Sequence, residues 1–144
     1  MKDRVLVDTN ILVYAYDIAD PEKQAKAFQV IDRLASGQKG VISAQILGEF
    51  FITTTQKLKK PLDVATVSQS IQNYIRSWLV LDITPQIIME AIRGRNTYQI
   101  SYWDAQVWAT AKLNQIPVVY SEDFQEGQML EGVLFRNPLK DYGA

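Results

Sequence analysis

Val5-Leu6-Val7-Asp8-Thr9-Asn10-Ile11-Leu12 is the stretch on which the fold turns. Val5 to Val7 are apolar without alternation, the pattern of a strand covered on both faces, as in a parallel sheet. Asp8, Thr9 and Asn10 are suited to open a helix, because their side-chain oxygens can accept from backbone N–H groups that lack partners there. Ile11 to Tyr16 is then expected as a short first helix. A buried strand running straight into a helix is the start of a βα unit.

The same alternation recurs outward from this point. Asp20-Pro21 offers an N-cap and a proline at the first helical position. From Glu22 to about Leu34, Ala27, Val30, Ile31 and Leu34 fall on one helical face, and Gly37 follows its end. Val41-Ile42 predicts a second strand. Residues 43 to 57 predict a helix with Ile46, Leu47, Phe50 and Phe51 along its stripe, and residues 64 to 78 another. A third strand is expected over 79–83, a helix from Pro85 to about Arg93, a helix over 101–115 and a fourth strand over 117–120. Val133 to Phe135 is a candidate fifth. Strands alternating with helices imply an α/β fold, a mostly parallel central sheet of four to five strands between two helical layers. The whole chain, 1–144, reads as one domain without repeats or low-complexity tracts.

Composition narrows the chemistry. The chain has no histidine and no cysteine, so histidine acid–base catalysis, thiolate nucleophiles, thiolate zinc sites and disulfides are excluded. Catalysis must rest on carboxylates, hydroxyls, amines or a metal held by oxygen. No stretch reaches the length of a membrane span, and no apolar leader precedes Asp8. The expectation is a cytoplasmic protein with no membrane partner. A net charge of −1 does not itself advertise a nucleic-acid binder, although clustered acids can offset basic surface elsewhere.

Four acids stand where a site would form. In open α/β sheets, sites lie outside the carboxyl ends of the strands, and Asp8 and Asp123 follow the first and fourth strands. Asp8 has a capping role as its plain alternative. Glu49 lies beside Ile46 and Thr53 at the border of an apolar stripe, a rim position that fits either a cleft ligand or solvated charge. Asp104 heads the helical face Asp104, Val107, Trp108, Ala111, and a carboxylate there is costly unless paired or bound. Its alternative is a capping box with Ser101. Asp123 sits in the acidic turn Ser121-Glu122-Asp123-Phe124, where Glu122 is a rival.

If these carboxylates converge to about 4 Å, each pair repels by roughly 4 kcal/mol at an effective dielectric near 20. Such a cluster needs cations or raised pKa values. All-oxygen ligation favours Mg2+ or Mn2+ over zinc, and those ions suit phosphodiester cleavage.

These segments resemble the motifs of PIN-domain ribonucleases. Val7-Asp8-Thr9-Asn10-Ile11-Leu12 resembles the opening motif, and Ser43-Ala44-Gln45-Ile46-Leu47-Gly48-Glu49-Phe50 the second acidic motif. Ser101-Tyr102-Trp103-Asp104-Ala105 resembles the third and Ser121-Glu122-Asp123-Phe124 the fourth. The ordered set, from about residue 4 to residue 136, is most similar to VapC-type toxins of toxin–antitoxin pairs. The resemblance implies a PIN-like fold, an Mg2+ or Mn2+ site and cleavage of RNA by an activated water. It also implies a homodimer and a small antitoxin that masks the site. It assigns Asp8, Glu49, Asp104 and Asp123 as catalytic metal ligands, prefers Asp123 to Glu122, and gives Asn10 and Ser121 supporting hydrogen bonds. Thr9 is left to the turn.

Lys57, Lys59, Lys60, Arg93 and Arg95 form two basic groups that could hold RNA phosphates; their other reading is charge complementary to helix ends. Tyr98, Tyr102 and Trp103 could stack on unpaired bases, or serve the core. A phosphotransfer domain of the receiver or haloacid-dehalogenase type is a rival, but the late lysine it needs is missing from the zone after the fourth strand. The other rivals are a non-catalytic PIN-type binding module and a housekeeping RNA-processing nuclease.

Overall fold

Three successive buried residues in β1 (Val5–Val7) set the architecture. Successive strand side chains point to opposite faces, so a strand buried at every position must be covered on both sides. The computed structural model, in which residues 2–140 are described, meets this requirement. The strands are β1, β2 (Gly40–Ser43), β3 (Leu79–Leu81), β4 (Val118–Tyr120), β5 (Met129–Leu130) and β6 (Val133–Arg136). They form one sheet in the order β3-β2-β1-β4-β6-β5. Every neighbouring pair is parallel except the antiparallel edge pair β5–β6.

The helices are α1 (Thr9–Tyr14), α2 (Pro21–Ser36), α3 (Ala44–Ile52), α4 (Val64–Ser77), α5 (Pro85–Tyr98) and α6 (Tyr102–Leu113). Together with the sheet they make the three-layer α/β/α sandwich. The core runs through Leu6, Val7, Ile42, Phe50, Trp108 and Phe135, all fully buried. Besides Asp8 on α1, side chains cap four further helices. Asp20, Ser43, Thr84 and Ser101 accept from Lys23, Ile46, Ile87 and Asp104 backbone N–H groups respectively.

Three elements depart from expectation. The sheet has six strands rather than four to five, because β5 is two residues long and leaves no pattern in the sequence. The helix expected over 43–57 stops at Ile52 and continues as a π-helical turn, Thr53–Lys57. Three successive threonines accompany that change: Thr54 Oγ1 donates to the Phe50 carbonyl (2.7 Å) and Thr55 Oγ1 to that of Phe51 (2.6 Å). Such competition for backbone acceptors loosens a helix.

The third departure is α5, which continues past Arg93 to Tyr98 and ends at Gln99 in the left-handed region (φ 55°). Gly94 resembles a helix stop, yet its role is packing. A Cβ there would stand 2.4 Å from the Trp108 ring. The missing side chain lets α5 lie against the buried indole, whose Nε1 donates to the Leu130 carbonyl (3.1 Å). Gly94→Ala is therefore expected to destabilise the fold by roughly 1–3 kcal/mol through overpacking, despite alanine's better helix propensity. Urea unfolding measures this, and the loss caused by Gly94→Ala should be smaller in a Trp108→Leu background than in the wild-type chain.

Candidate metal centre

The parallel pairing of β1 with β4, Val7 opposite Tyr120, brings the residues after both strands side by side. Asp8 N donates to the Tyr120 carbonyl and Ser121 N to that of Arg136, each at 2.9 Å. Asp8 is therefore anchored by its backbone before its side chain is considered. One carboxylate oxygen accepts from Thr9 N (2.8 Å), the capping role read from sequence. The other accepts from Ser121 Oγ (2.8 Å), and the whole residue is buried. Cap and ligand geometry coexist in one side chain.

Ser121 is the hub of the loop. Its hydroxyl, while donating to Asp8, accepts from Asn10 Nδ2 (3.2 Å) and Asp123 N (3.1 Å). Asn10 Nδ2 also donates to Asp123 Oδ2 (2.9 Å), while Asn10 Oδ1 accepts from Glu122 N (3.3 Å). Asp123 is thereby held toward Asp8. Glu122 turns away: it accepts from Tyr14 Oη (2.7 Å) and pairs with Lys23 Nζ (3.3 Å). Nothing in the local sequence signals that Tyr14 and Lys23 draw Glu122 off, since they lie about a hundred residues from it.

Asp104 enters from the first turn of α6, with Ser101 as its N-cap (Asp104 N to Ser101 Oγ, 3.1 Å). Asp8, Asp104 and Asp123 each offer a carboxylate oxygen within 4.8 Å of the others. Glu49 stands outside this trio. It projects from α3 at the rim and lines a depression with Thr9, Asn10 and Asp123. Gln45 Nε2 holds its Oε1 (2.7 Å), and Gln106 Nε2 in turn holds Gln45 Oε1 (2.8 Å). This amide relay orients Glu49 and was invisible in the sequence, because its partners come from α3 and α6.

Electrostatics agree with the geometry. Burial pushes the Asp8 carboxyl up to about 7; Ser121 and Thr9 hydrogen bonds oppose this, while the charges of Asp123 and Asp104 add to it. Asp104 is raised by burial and then by Asp123, with Ser121's counterpart Ser101 opposing. Glu49 is raised by partial burial and by Asp104 and Asp123, against Gln45 and Lys57. In each group the hydrogen bonds, and for Glu49 the charge of Lys57, offset the burial and mutual repulsion only in part. An all-oxygen set with partly compensated negative charge fits a hard divalent cation. Thr9 Oγ1, buried beside the cluster, has no hydrogen-bond partner among the described residues.

The basic groups separate. Lys57 lies at the end of the π turn, close enough to Glu49 to lower its pKa. Lys59 and Lys60 are exposed just beyond it. Arg93 instead belongs to a surface network with Glu90, Glu131 and Lys112. Lys112 is eight residues along α6 from Asp104, about 12 Å of helix. Arg95 is exposed and donates to Asn96 Oδ1 (3.2 Å). Of the aromatics, Tyr98 packs edge-on against Trp108, Tyr102 donates to Gln106, and Trp103 is 60% exposed.

A carboxyl raised in the folded state binds its proton more tightly there than in the unfolded chain, so its contribution to stability is lost as pH rises. For Asp8 that loss runs from about pH 4 to about pH 7 and is worth up to about 4 kcal/mol at roughly 1.4 kcal/mol per pKa unit. In EDTA, Asp8→Asn should melt above wild type at pH 8, with the advantage shrinking by pH 5. Adding Mn2+ should raise the wild-type melting temperature and leave the variant nearly unmoved, as read by differential scanning fluorimetry.

No curated protein matches the chain significantly by sequence. Solved structures do match in fold. A toxin–antitoxin complex from Klebsiella pneumoniae gives a TM-score of 0.69 at 18% identity, covering 93% of this chain and 97% of that one. Mycobacterium tuberculosis VapC20, a toxin that cleaves the sarcin–ricin loop, gives 0.63 at 17%, covering 83% and 89%. PAE2754 from Pyrobaculum aerophilum gives 0.64 at 19%, covering 92% and 88%. The sequence profile of the PIN domain matches residues 5–125, the span that carries β1, the acidic trio and Glu49. By that match, the chain belongs to the PIN-domain family.

Proposed function

We propose that this protein is a divalent-metal-dependent endoribonuclease and the toxin of a toxin–antitoxin pair. The observation that carries the nuclease reading is the convergence of Asp8, Asp104 and Asp123 oxygens within 4.8 Å around a buried, proton-hungry Asp8. Those three residues, with Glu49 at the rim, would hold Mg2+ or Mn2+. When bound, such an ion supplies Lewis acidity that neutralises phosphate oxygens and makes a water acidic enough to attack at neutral pH.

The protein's own groups define the rest. Ser121 and Asn10 fix Asp8 and Asp123 in one arrangement, so the ligands do not have to reorganise as charge develops. Gln45 donates to Glu49 Oε1, so Glu49 Oε2 is the oxygen it would offer to the ion. Lys57, on the rim, would meet a phosphate, and the exposed Lys59 and Lys60 would add to the same attraction. The scissile linkage is hydrolysed when water adds at phosphorus and one ribose oxygen departs, with a proton returned to that oxygen.

RNA as substrate and an antitoxin as partner are supported by the toxin character of the structural neighbours. A small antitoxin would cover the cluster, and the toxin would act as a homodimer in the cytoplasm. The described helices include none long and apolar enough to cross a membrane.

Purified protein incubated with structured and unstructured RNAs should cut only with Mn2+ or Mg2+, and EDTA should abolish cleavage. Asp8→Asn and Asp104→Asn, folded by circular dichroism, should lose at least about 100-fold in rate; Asn10→Ala, which removes only support, should lose about 10- to 100-fold. Metal-independent cleavage, or full activity in both aspartate variants, would overturn the assignment.

A further inference from the structure

Beside the carboxylates lies a second feature, a groove of about 560 Å3, within the range of small-molecule sites. One wall is α3 and the π turn, through Gly48, Glu49, Ile52 and Lys57; the other is the start of α6, through Trp103 and Gln106. Glu49 and Thr53 line both this groove and the depression that holds Asp123, so the two adjoin.

Three details point to one kind of occupant. Trp103 is 60% exposed although it directly precedes Asp104, and its carbonyl accepts from Gln45 Nε2 (3.3 Å), which fixes the backbone under the indole. Gly48 sits inside α3, where glycine weakens a helix, yet a Cβ there would meet nothing within 4 Å. No packing demand explains it; its effect is to keep the groove open opposite the indole. Lys57, finally, has no ion pair or hydrogen bond among the described residues. It is carried on a turn whose i→i+5 bond, Leu58 N to Thr53 O (3.2 Å), widens the helix beside Glu49.

A flat aromatic wall, an open floor, amide groups and a cation without an ion pair at the rim match a nucleotide, with a ring to stack and a phosphate to pair. An apolar peptide would leave the cation and amides unused. We infer that this groove binds a single unpaired nucleotide next to the cleaved linkage, its base stacked on Trp103 and its phosphate on Lys57. The enzyme then selects RNA whose base is already out of a helix, since a paired base does not present its face. The inference rests on the nuclease reading for its role in cleavage, but the binding it describes is measurable without cleavage.

The test is fluorescence anisotropy in EDTA with a labelled heptamer of riboadenosine, the same heptamer with an abasic centre, and the heptamer paired within the stem of a hairpin duplex clamped by G·C pairs at both ends. The single strand should bind at least about tenfold more tightly than the duplex or the abasic strand. Trp103→Ala should erase that difference and Trp103→Phe should keep most of it. Gly48→Leu should erase it too, while melting at or above the wild-type temperature. Lys57→Gln should weaken binding and flatten the log–log salt slope by about 0.7. Equal binding of intact, abasic and duplex RNA, or no binding by any, overturns the inference. So does wild-type affinity in Gly48→Leu, which would leave the groove to a protein segment. If these variants lose binding but wild type cuts nothing with Mn2+, the nuclease reading fails alone. If wild type cuts and both Trp103→Ala and Gly48→Leu cut single-stranded RNA at its rate, the groove assignment fails alone.

Discussion

The parallel ladder between β1 and β4 is the constraint from which the site follows. It joins segments more than a hundred residues apart in register, so that the chain must turn outward after Val7 and after Tyr120 at the same height. Both turns carry acids, and both are fixed by backbone hydrogen bonds before any side chain contributes. The third acid arrives on α6 because that helix starts at the same edge of the sheet. Backbone pairing thus holds together charges that would otherwise move apart, and the Ser121 hydroxyl links the Asp8 side chain to the loop that carries Asp123. Because its oxygen already accepts from Asn10 and Asp123, its proton has Asp8 as its outlet. That arrangement favours the ionised form of Asp8 against the pull of burial.

Much of this was legible in the residues. A run of three apolar residues ending in Asp-Thr-Asn announces a buried strand and a helix start, and both are present. Asp104 at the head of an apolar helical face identified itself as a carboxylate in need of a partner. What escaped detection depends on contacts between distant segments. Residue chemistry leaves Glu122 and Asp123 as rivals and the motif resemblance alone prefers Asp123; in the fold Tyr14 and Lys23, reaching across from α1 and α2, hold Glu122 away while Asn10 holds Asp123. Glu49 reads as a rim residue and is one, but the Gln45–Gln106 relay that aims it is assembled from two helices. Arg93, grouped with the other cations by its position near a helix end, is spent on Glu90 and Glu131.

Charge distribution explains why the overall balance was uninformative. Setting aside Asp8, Glu49, Asp104 and Asp123 leaves 15 Lys and Arg against 12 Asp and Glu, so the remainder of the chain is a net cation. A net charge of −1 averages a concentrated acidic centre with a mildly basic body. The two scales matter separately: the centre governs what it coordinates, and the body governs what approaches it.

Gly94 and Gly40 share a feature that reaches beyond packing. Each faces an indole, Trp108 and Trp78 respectively, at a distance that admits no Cβ. A side chain at either glycine forces its tryptophan to shift, and a smaller residue at either tryptophan removes that constraint on the glycine. The cost of a substitution at one member of each pair therefore depends on which residue occupies the other. Trp103 is bound by no such partner. Of the three tryptophans it alone is free to vary at the pace of whatever the protein recognises.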